Sequence, residues 1–404
     1  MKLRKLCTIG GVLLFSLLAS CRKEMAAAGE KLALNDHDTS FVHPGLLHKQ
    51  SDFDRMKSKV DAGAEPWLSG WKQLVSNSHS ALSWQPNPAD TVYRGSDGVH
   101  RENYGQLYND IAAAYATALR WKVSGDKQYA EKSIQIMNAW SARLKGIAGN
   151  NDANLAAGLY GYQFANAAEI MRTYKGWARA DFTRFQKMML NVFYSMNHAF
   201  LTRRERCMSH FYANWDLCVM NSILATGVLC DDRGIYNEAI NYFKYGAGNG
   251  AIANAVYFIH PDGLGQWQES GRDQGHTTLG IGLMGTFCEM AWNQGDDMYG
   301  YDNNRFLKGA EYVAAYNLGD SVPFKPYANC VGVVQNVISS GSRGNIRPVW
   351  ELVYNHYVNR KGLAAPNCAR YAQKARPEGG GGNYGPNSGG YDQLGYGTLT
   401  CSLK

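Results

Sequence analysis

The sequence predicts an all-α protein in which six to seven helical hairpins form a single-domain (α/α)n toroid. Apolar residues recur at helical spacing in long runs, and short turns rich in Gly, Asp and Asn separate these runs. The first run of each pair is apolar nearly all round and the second carries a charged face, as inner and outer helices do. Strand-like alternation is rare. A superhelical solenoid of helix pairs is the alternative, but no fixed-length repeat supports it.

The paired runs follow one another in chain order. The inner member comes first in each pair, because it holds the small and apolar residues, and the outer member follows with more Lys, Glu and Asp. The predicted pairs are 104–126 with 127–144, 159–177 with 181–201, 214–232 with 235–260, and 276–297 with 304–319, and a last run covers 346–362.

Inner helices of a toroid run parallel, so their amino ends share one rim. The predicted starts hold unusual polar and aromatic residues, whereas the opposite ends carry ordinary turn sequences such as "SGD" and "CDD". Helix amino termini also present unpaired N–H groups that favour an anion. The sequence therefore predicts an anion-binding site on the rim that holds "NYGQ" (103–106), "GLYGYQ" (158–163), "SHFYANW" (209–215), "QWQESGRDQGH" (266–276) and "SRGNIRP" (342–348).

The amino terminus is typical of an exported bacterial lipoprotein. Residues 1–20 have a basic start, an apolar core and small residues before Cys21, which we expect to be lipidated. An ordinary signal peptide that ends beside a cysteine is the alternative. We expect residues 22–40 to be a linker and residues 41–404 to be the folded domain, located in the periplasm or at the outer membrane. Membrane contact would then occur only through the lipid.

Charge and cysteine content exclude several classes of protein. Removing residues 1–20 takes away Lys2, Arg4 and Lys5, so the net charge falls from +7 to +4, without the clustered Lys and Arg of a nucleic-acid site. Seven of the nine cysteines follow Cys21, scattered without zinc spacing, which predicts buried thiols and at most one or two disulfides. We expect a monomer without cofactor.

A metal site is weakly indicated. His276 with Asp273, or His210 with Asp216, offers two ligands, and a zinc site needs three or four. The sequence therefore predicts no metal.

The rim residues suit β-elimination on a uronic acid. The proton beside the carboxylate becomes removable only when hydrogen bonds neutralise that carboxylate, and Asn or Arg side chains provide them. A base, His or Tyr, takes the proton, and an acid protonates the leaving oxygen. Each residue also has a plainer interpretation: Asn214 as a helix cap, His276 as a core histidine, and Arg272 with Glu269 as a structural ion pair. Their convergence on one rim favours the catalytic interpretation.

Long strings of the sequence resemble the alginate lyase superfamily of helical-toroid polysaccharide lyases. The resemblance covers roughly residues 41–400 and is closest to polysaccharide lyase family 38, which it links to alginate and glucuronan. It rests on "HPGLLHKQSDFDRMKSKV", "AAGLYGYQFANAAEIMR", "SHFYANWDL", "GLGQWQESGRDQGHTTLG", "NQGDDMYGYDNNRFLKGAEYVAAYNLG" and "RPEGGGGNYGPNSGGYDQLGYGTLT".

The resemblance implies that Asn214 and Arg272 neutralise the uronate. Related lyases of family 5 keep a catalytic His directly after the Asn and a Tyr after the Arg, and here those positions hold Trp215 and Leu279. The base is therefore predicted to be His276, with His210 as the alternative. The proton donor is predicted to be Tyr162, with Tyr160, Tyr212 and Tyr104 as alternatives. Tyr299 and Tyr301 are set aside because the toroid places them at the opposite rim. The predicted sugar-binding residues are Tyr104, Tyr160, Gln163, Gln266 and Glu269.

The sequence thus predicts a metal-independent lyase that cleaves a uronic-acid polymer, with alginate as the predicted substrate. A glucuronan lyase of the same mechanism is one alternative. A toroidal glycoside hydrolase that uses Glu269 and Asp273 is a second, since these carboxyls lie one helical turn apart. A surface lipoprotein that only binds glycans is the third.

Overall fold

The computed structural model describes residues 40–203, 206–382 and 391–404. The expected signal peptide, Cys21 and the linker up to residue 39 lie outside the described residues. None of the described helices is long and apolar enough to cross a membrane. Residues 41–404 form one compact unit.

Six helical hairpins follow one another along this unit. The helices of these hairpins are α1 Gln50–Asp61 and α2 Trp67–Ser76; α3 Tyr104–Ser124 and α4 Lys127–Arg143; α5 Asp152–Met171 and α6 Arg179–Met188, which continues through a π-helical stretch, Met189–Tyr194, into α7 Ser195–Leu201; α8 Ala213–Leu229 and α9 Arg233–Tyr245; α11 Gln274–Asn293 and α12 Tyr301–Asn317; and α13 Trp350–Tyr354, with a π-helical continuation Asn355–Arg360, and α14 Pro366–Ala375. Two short helices, α10 Ile252–Ala255 and α15 Gly397–Thr400, lie outside the pairs.

The inner helices close into a ring. α3, α5, α8 and α11 pack side by side in that order, and α13 packs against α11. α15 contacts α13, α1 and α2, while α1 returns the contacts to α3. The predicted toroid of helical hairpins is therefore confirmed.

Composition explains which helix lies inside. In α5 nearly every side chain is buried, and Cβ atoms on Gly158 and Gly161 would overlap Cys218 and Ser222 of α8, so these glycines allow the two inner helices to touch. In the outer helix α9 one face alone is buried, namely Ile235, Tyr236, Ala239, Ile240 and Phe243.

Two of the predicted turns end in an aspartate that caps the outer helix that follows. The Asp126 side chain accepts from the Gln128 N–H and caps α4, and Asp232 caps α9 through the Ile235 N–H. These aspartates end the "SGD" and "CDD" turns.

Three two-stranded sheets occur among the described residues. β1 Thr91–Arg94 pairs in parallel with β2 Gly146–Gly149, β3 Val256–Ile259 is antiparallel to β4 Gly265–Trp267, and β5 Tyr327–Ala328 is antiparallel to β6 Val334–Gln335.

One predicted helix was wrong in extent. The run 235–260, expected to be helical, ends as α9 at Tyr245 and finishes as strand β3. Gly246, Gly248 and Gly250 disfavour helix, and the β-branched and aromatic residues that follow pair with β4.

Candidate active site

The polar segment 265–276 joins the amino ends of two inner helices. Gln268 Oε1 accepts from the Ala213 N–H at 3.1 Å, and Glu269 Oε2 accepts from the Asn214 N–H at 3.1 Å, so both side chains cap α8. Asp273 Oδ1 accepts from the His276 N–H at 2.8 Å and caps α11. The polar residues that precede this buried helix therefore hold α8 and α11 together at one rim.

Glu269 links the two residues predicted to neutralise a carboxylate. Its side chain is fully buried, and its Oε1 accepts from Asn214 Nδ2 at 3.2 Å and from Arg272 Nη1 at 2.9 Å. Burial raises the pKa of Glu269, although the neighbouring Arg272 and His276 oppose that shift. Asn214 is also buried, and its Oδ1 has no hydrogen-bond partner among the described residues. The structure thus brings Asn214, Arg272 and Glu269 into one cluster.

Arg272 carries this cluster to the surface of a cleft. Its side chain is 25% exposed, and its Cζ lies 4.1 Å from the centre of the Tyr212 ring. Asp273 Oδ2 lies 3.7 Å from its Nε. Because carboxylate, ring and histidine contacts fix the guanidinium, it is ready to meet an anion without rearrangement.

The cleft has a volume of about 770 Å³ and lies where three inner helices begin. One wall precedes α5, a second precedes α8, and Arg272 lies just before α11. A third wall comes from the β5–β6 hairpin, which the Cys207–Cys330 disulfide joins to the segment before α8. Of the five segments predicted for the shared rim, 209–215 and 266–276 reach this cleft, whereas 103–106, 158–163 and 342–348 do not. The cleft is lined by Gly149, Asn150, Asn151, Asp152, His210, Phe211, Tyr212, Trp215, Arg272, Asn329, Val331 and Val333.

His210 and Tyr212 are the predicted acid–base candidates that line this cleft. His210 is exposed, and its ring stacks on Phe211 with centroids 4.7 Å apart. Tyr212 lies beneath the Arg272 guanidinium. Both therefore face the space in which a substrate beside Arg272 would lie.

His276 occupies a different position from that expected of a base. Its Nδ1 lies 2.7 Å from Asp273 Oδ2, and its Nε2 lies 3.2 Å from Arg272 Nη2. A guanidinium only donates, so Nε2 accepts from Arg272 and its lone pair is already used. His276 is not among the residues that line the cleft. The geometry makes it a partner that orients Arg272.

The positions predicted for "GLYGYQ" were wrong because α5 begins at Asp152, two to three turns earlier. The residues 158–163 consequently lie inside the ring. Tyr162 is 1% exposed, donates to the Asp392 carbonyl at 2.6 Å and lines an interior cavity of about 50 Å³. Gln163 donates to the Tyr391 carbonyl at 2.7 Å. Neither side chain lines the cleft, so the structure does not bring Tyr162 to the place of a proton donor.

Gln266 is also turned away from the cleft. It is 1% exposed, and its Nε2 donates to the Tyr257 hydroxyl at 2.7 Å and to the Lys325 carbonyl at 2.9 Å. Its Oε1 accepts from the Lys325 N–H and faces His260. All three residues of β4 are buried, so Gln266 lies inside the protein. The expected sugar-binding role of Gln266 is therefore replaced by a structural one.

Tyr104 and Tyr160 lie together beside Arg94. Their rings are nearly parallel, with centroids 6.5 Å apart, and Tyr104 is half-buried while Tyr160 is fully buried. Burial raises the pKa of Tyr160. Neither tyrosine is among the residues that line the cleft, so the structure brings neither to the place of a proton donor or of a sugar-binding residue there.

Sequence reasoning missed two walls of the cleft. Asn150 and Asn151 precede α5 and Asp152 begins it, and the polar string "GNND" was the signal that would have revealed them. The β5–β6 hairpin carries no comparable signal, because only the disulfide and the fold bring it to the rim.

Among the described residues, no group of three or more His, Cys, Asp and Glu side chains is arranged to hold a metal ion.

Solved structures include proteins of similar fold. The fold is similar to alginate lyase A1-III from Sphingomonas species A1, with 14% identity and a TM-score of 0.62 over 92% of this chain and 100% of that chain. An alginate lyase from Bacteroides ovatus aligns with 15% identity and a TM-score of 0.60 over 90% of this chain and 100% of that chain. At these identities the likeness shows the shared fold.

Sequence comparison identifies the family. No curated protein matches the chain in sequence. The profile of the family described as "Alginate lyase" matches residues 71–324, more than half of the chain. The chain therefore belongs to the alginate lyase family and is a polysaccharide lyase.

Proposed function

We propose that the protein cleaves alginate by β-elimination in the cleft between the amino ends of α5, α8 and α11. The observation that carries this proposal is the Arg272 guanidinium, which is fixed by Glu269 and Tyr212 and opens onto the same cleft as His210. A variant of alginate lyase A1-III has been solved with a tetrasaccharide, and it aligns with this chain at a TM-score of 0.62.

Arg272 and Asn214 would stabilise the charge that develops on the uronate. When the proton beside the carboxylate leaves, negative charge moves onto the carboxylate oxygens, where Arg272 supplies positive charge and donors. Asn214 is buried and does not line the cleft, so it would act from behind Arg272, through the Glu269 carboxylate to which both side chains donate. We expect no metal requirement, because these side chains supply the needed charge and hydrogen bonds.

Tyr212 and His210 would carry out the proton transfers. One of them takes the C5 proton, and the electron pair of that C–H bond forms the C4–C5 double bond. The C4–O bond breaks, and the other group protonates the departing oxygen. The products are unsaturated oligosaccharides. Tyr212 replaces Tyr162 as the favoured tyrosine because it lines the cleft.

The decisive experiment is ultraviolet absorbance of the conjugated unsaturated uronate during incubation with alginate, in buffer with and without a chelator. We expect absorbance to rise equally in both. A rise on glucuronan alone would identify the alternative uronan substrate, and no rise on any uronan would refute the proposal.

A glycoside hydrolase is less well supported. Glu269 is fully buried and bonded to Asn214 and Arg272, and Asp273 caps α11, so neither carboxyl lines the cleft. New reducing ends without ultraviolet absorbance would favour the hydrolase, and tight binding of intact polymer would favour a glycan-binding protein.

We also propose that the protein is an exported lipoprotein, anchored through a lipid on Cys21 and located in the periplasm or at the outer membrane. We propose that it acts as a monomer. Residues 1–20 and the small residues before Cys21 support the export and the lipid. Metabolic labelling with a fatty acid, compared between wild type and Cys21→Ser, tests the anchor.

A further inference from the structure

Arg94 lies at the end of β1 in a nest of tyrosines. Its Nη1 donates to the Tyr160 hydroxyl at 3.2 Å, and its Cζ lies 5.1 Å from the Tyr104 ring centre and 5.6 Å from that of Tyr160. These contacts are cation–π interactions that hold the guanidinium at a fixed place. Tyr108 packs against both rings, with centroid distances of 5.8 and 5.9 Å. Arg94 is therefore a positioned cation.

Arg94 has no ion-pair partner among the described residues, unlike the other enclosed arginines of the rim. Arg272 is paired with Glu269, Arg203 with Asp216, and Arg347 with Asp392. Nε and Nη2 of Arg94 make no hydrogen bond with the described residues. Partial burial of an unpaired charge is costly, so a site that retains one is suited to an anionic ligand.

The charge of Arg94 persists at neutral pH. Burial by itself lowers the pKa of Arg94, and the oxygens of Tyr160, Asp392, Tyr104 and Asp152 together raise it above its ordinary value. The guanidinium is consequently available as a full positive charge.

Arg94 adjoins the wall of the cleft that lies before α5. In the parallel pairing of β1 with β2, Arg94 is opposite Gly149. Gly149 and the next three residues line the cleft, and Asp152 among them is within electrostatic range of the guanidinium. Arg272 reaches the cleft from the start of α11 instead. Arg94 is not itself among the residues that line the cleft; it is half-buried and lies beside the wall that begins at Gly149.

We propose that Arg94, held by Tyr104 and Tyr160, binds the carboxylate of a second uronate residue of the polymer, one that is not being cleaved. This inference rests on the proposed function for the identity of the polymer. Arg272 acts on the residue that loses its proton, and Arg94 holds the polymer where it passes the wall before α5. The enzyme would then favour stretches with successive acidic sugars over chains in which neutral sugars interrupt them.

The test compares Arg94→Met with Arg101→Met, which removes the same charge from an exposed arginine seven residues away. For Arg94→Met we expect KM on alginate to rise about tenfold, which corresponds to about 1.4 kcal/mol, with little change in kcat. Arg101→Met should stay near wild type. Arg94→Lys should recover part of the loss because it keeps the charge. An unchanged KM, or a fall in kcat at constant KM, would overturn the inference.

A binding measurement separates this inference from the proposed function. Affinity for an alginate tetrasaccharide is measured by calorimetry in an Arg272→Ala background, with and without Arg94→Met, and thermal unfolding verifies that each variant folds. A tenfold loss of affinity supports the Arg94 site even if the wild type cleaves no uronan. Equal affinities refute it whether or not the wild type is a lyase. If Arg94→Met does not fold, Arg94→Lys and Tyr160→Phe replace it, and an unchanged affinity in both overturns the inference.

Discussion

Replacing Arg272 with lysine tests whether the fixed guanidinium, and not merely a positive charge, drives the reaction. The guanidinium makes four contacts at once: 2.9 Å to Glu269, 3.2 Å to His276, 3.7 Å to Asp273, and 4.1 Å to the centre of the Tyr212 ring. An ammonium on a flexible stem cannot satisfy this planar arrangement and also present donors to a substrate. The variant keeps the charge and loses the geometry.

The expected loss can be sized from comparable donors. Removing one preorganised donor from a site that stabilises developing negative charge lowers kcat about 10²–10³-fold, or about 2.7–4 kcal/mol. We expect Arg272→Lys to fall in this range, with a smaller rise in KM, because the charge still attracts the polymer. The measurement is the initial rate of ultraviolet absorbance on alginate at several substrate concentrations.

Arg360 provides a matched control. It ends the π-helical stretch after α13 and pairs with Glu289, which lies near the carboxyl end of α11. Arg272 and Arg360 are both 25% exposed, and Arg360 pairs with the nearly buried Glu289 at 2.9 Å. Arg360 also lies 2.8 Å from a ring nitrogen of His356 and 5.4 Å from the Trp292 ring centre. Arg272→Lys and Arg360→Lys should each lower the free energy of unfolding by about 1–3 kcal/mol. Arg360→Lys should leave kcat unchanged.

The two variants together decide the argument. If Arg272→Lys keeps kcat within twofold of wild type, the guanidinium geometry is not used in catalysis. If Arg360→Lys loses kcat to the same degree, the loss reports general destabilisation and the assignment of Arg272 is wrong.

Three further predictions concern other parts of the molecule. Tyr212→Phe should lower kcat about 10²–10⁴-fold because it removes a proton-transfer group from the cleft. Tyr162→Phe should keep kcat and lose about 1 kcal/mol of stability, because it loses a hydrogen bond to a backbone carbonyl. Comparable losses of kcat in both variants would contradict the choice of tyrosine. Burial, reinforced by a neighbouring carboxylate, raises the pKa of Glu378, so the folded state holds a proton that the unfolded state releases. The contribution of Glu378 to the free energy of unfolding is therefore complete below the ordinary carboxyl range and is lost as pH rises toward the raised pKa. Denaturant titrations at several pH values should show that the free energy of unfolding changes with pH at a different slope in wild type and in Glu378→Gln. Parallel curves would exclude Glu378 as the cause. Replacing Cys207 and Cys330 with serine opens a loop with a sequence separation of 123 residues, and the chain-entropy model predicts a loss of about 4–5 kcal/mol in the free energy of unfolding. The double variant should also raise KM, because the disulfide holds one wall of the cleft. An unchanged melting temperature and KM would show that packing alone holds that wall.

The sequence predicted the elements of the site better than their orientation. Arg272 and Asn214 were found because each lies next to the start of an apolar helical run, where helix polarity determines the end of the ring. Tyr162 was misplaced because a helix start can move by two turns when polar residues such as Asn151 and Asp152 extend it. His276 was predicted to be the base, and only the hydrogen-bond directions show that one ring nitrogen faces Asp273 and the other accepts from Arg272.

By itself, the sequence determined the toroid, because apolar periodicity and the alternation of small and charged residues are local properties of each run. It also placed the starts of α8 and α11 at one end of the ring, where His210, Tyr212 and Arg272 line the cleft. Only the tertiary structure decided which of the predicted polar residues reach the cleft. That choice depends on contacts between residues far apart in the chain: Glu269 with Asn214, Cys207 with Cys330, and Arg94 with Tyr160. Such pairings leave no periodic signal in the sequence, since they arise only when the helices have packed.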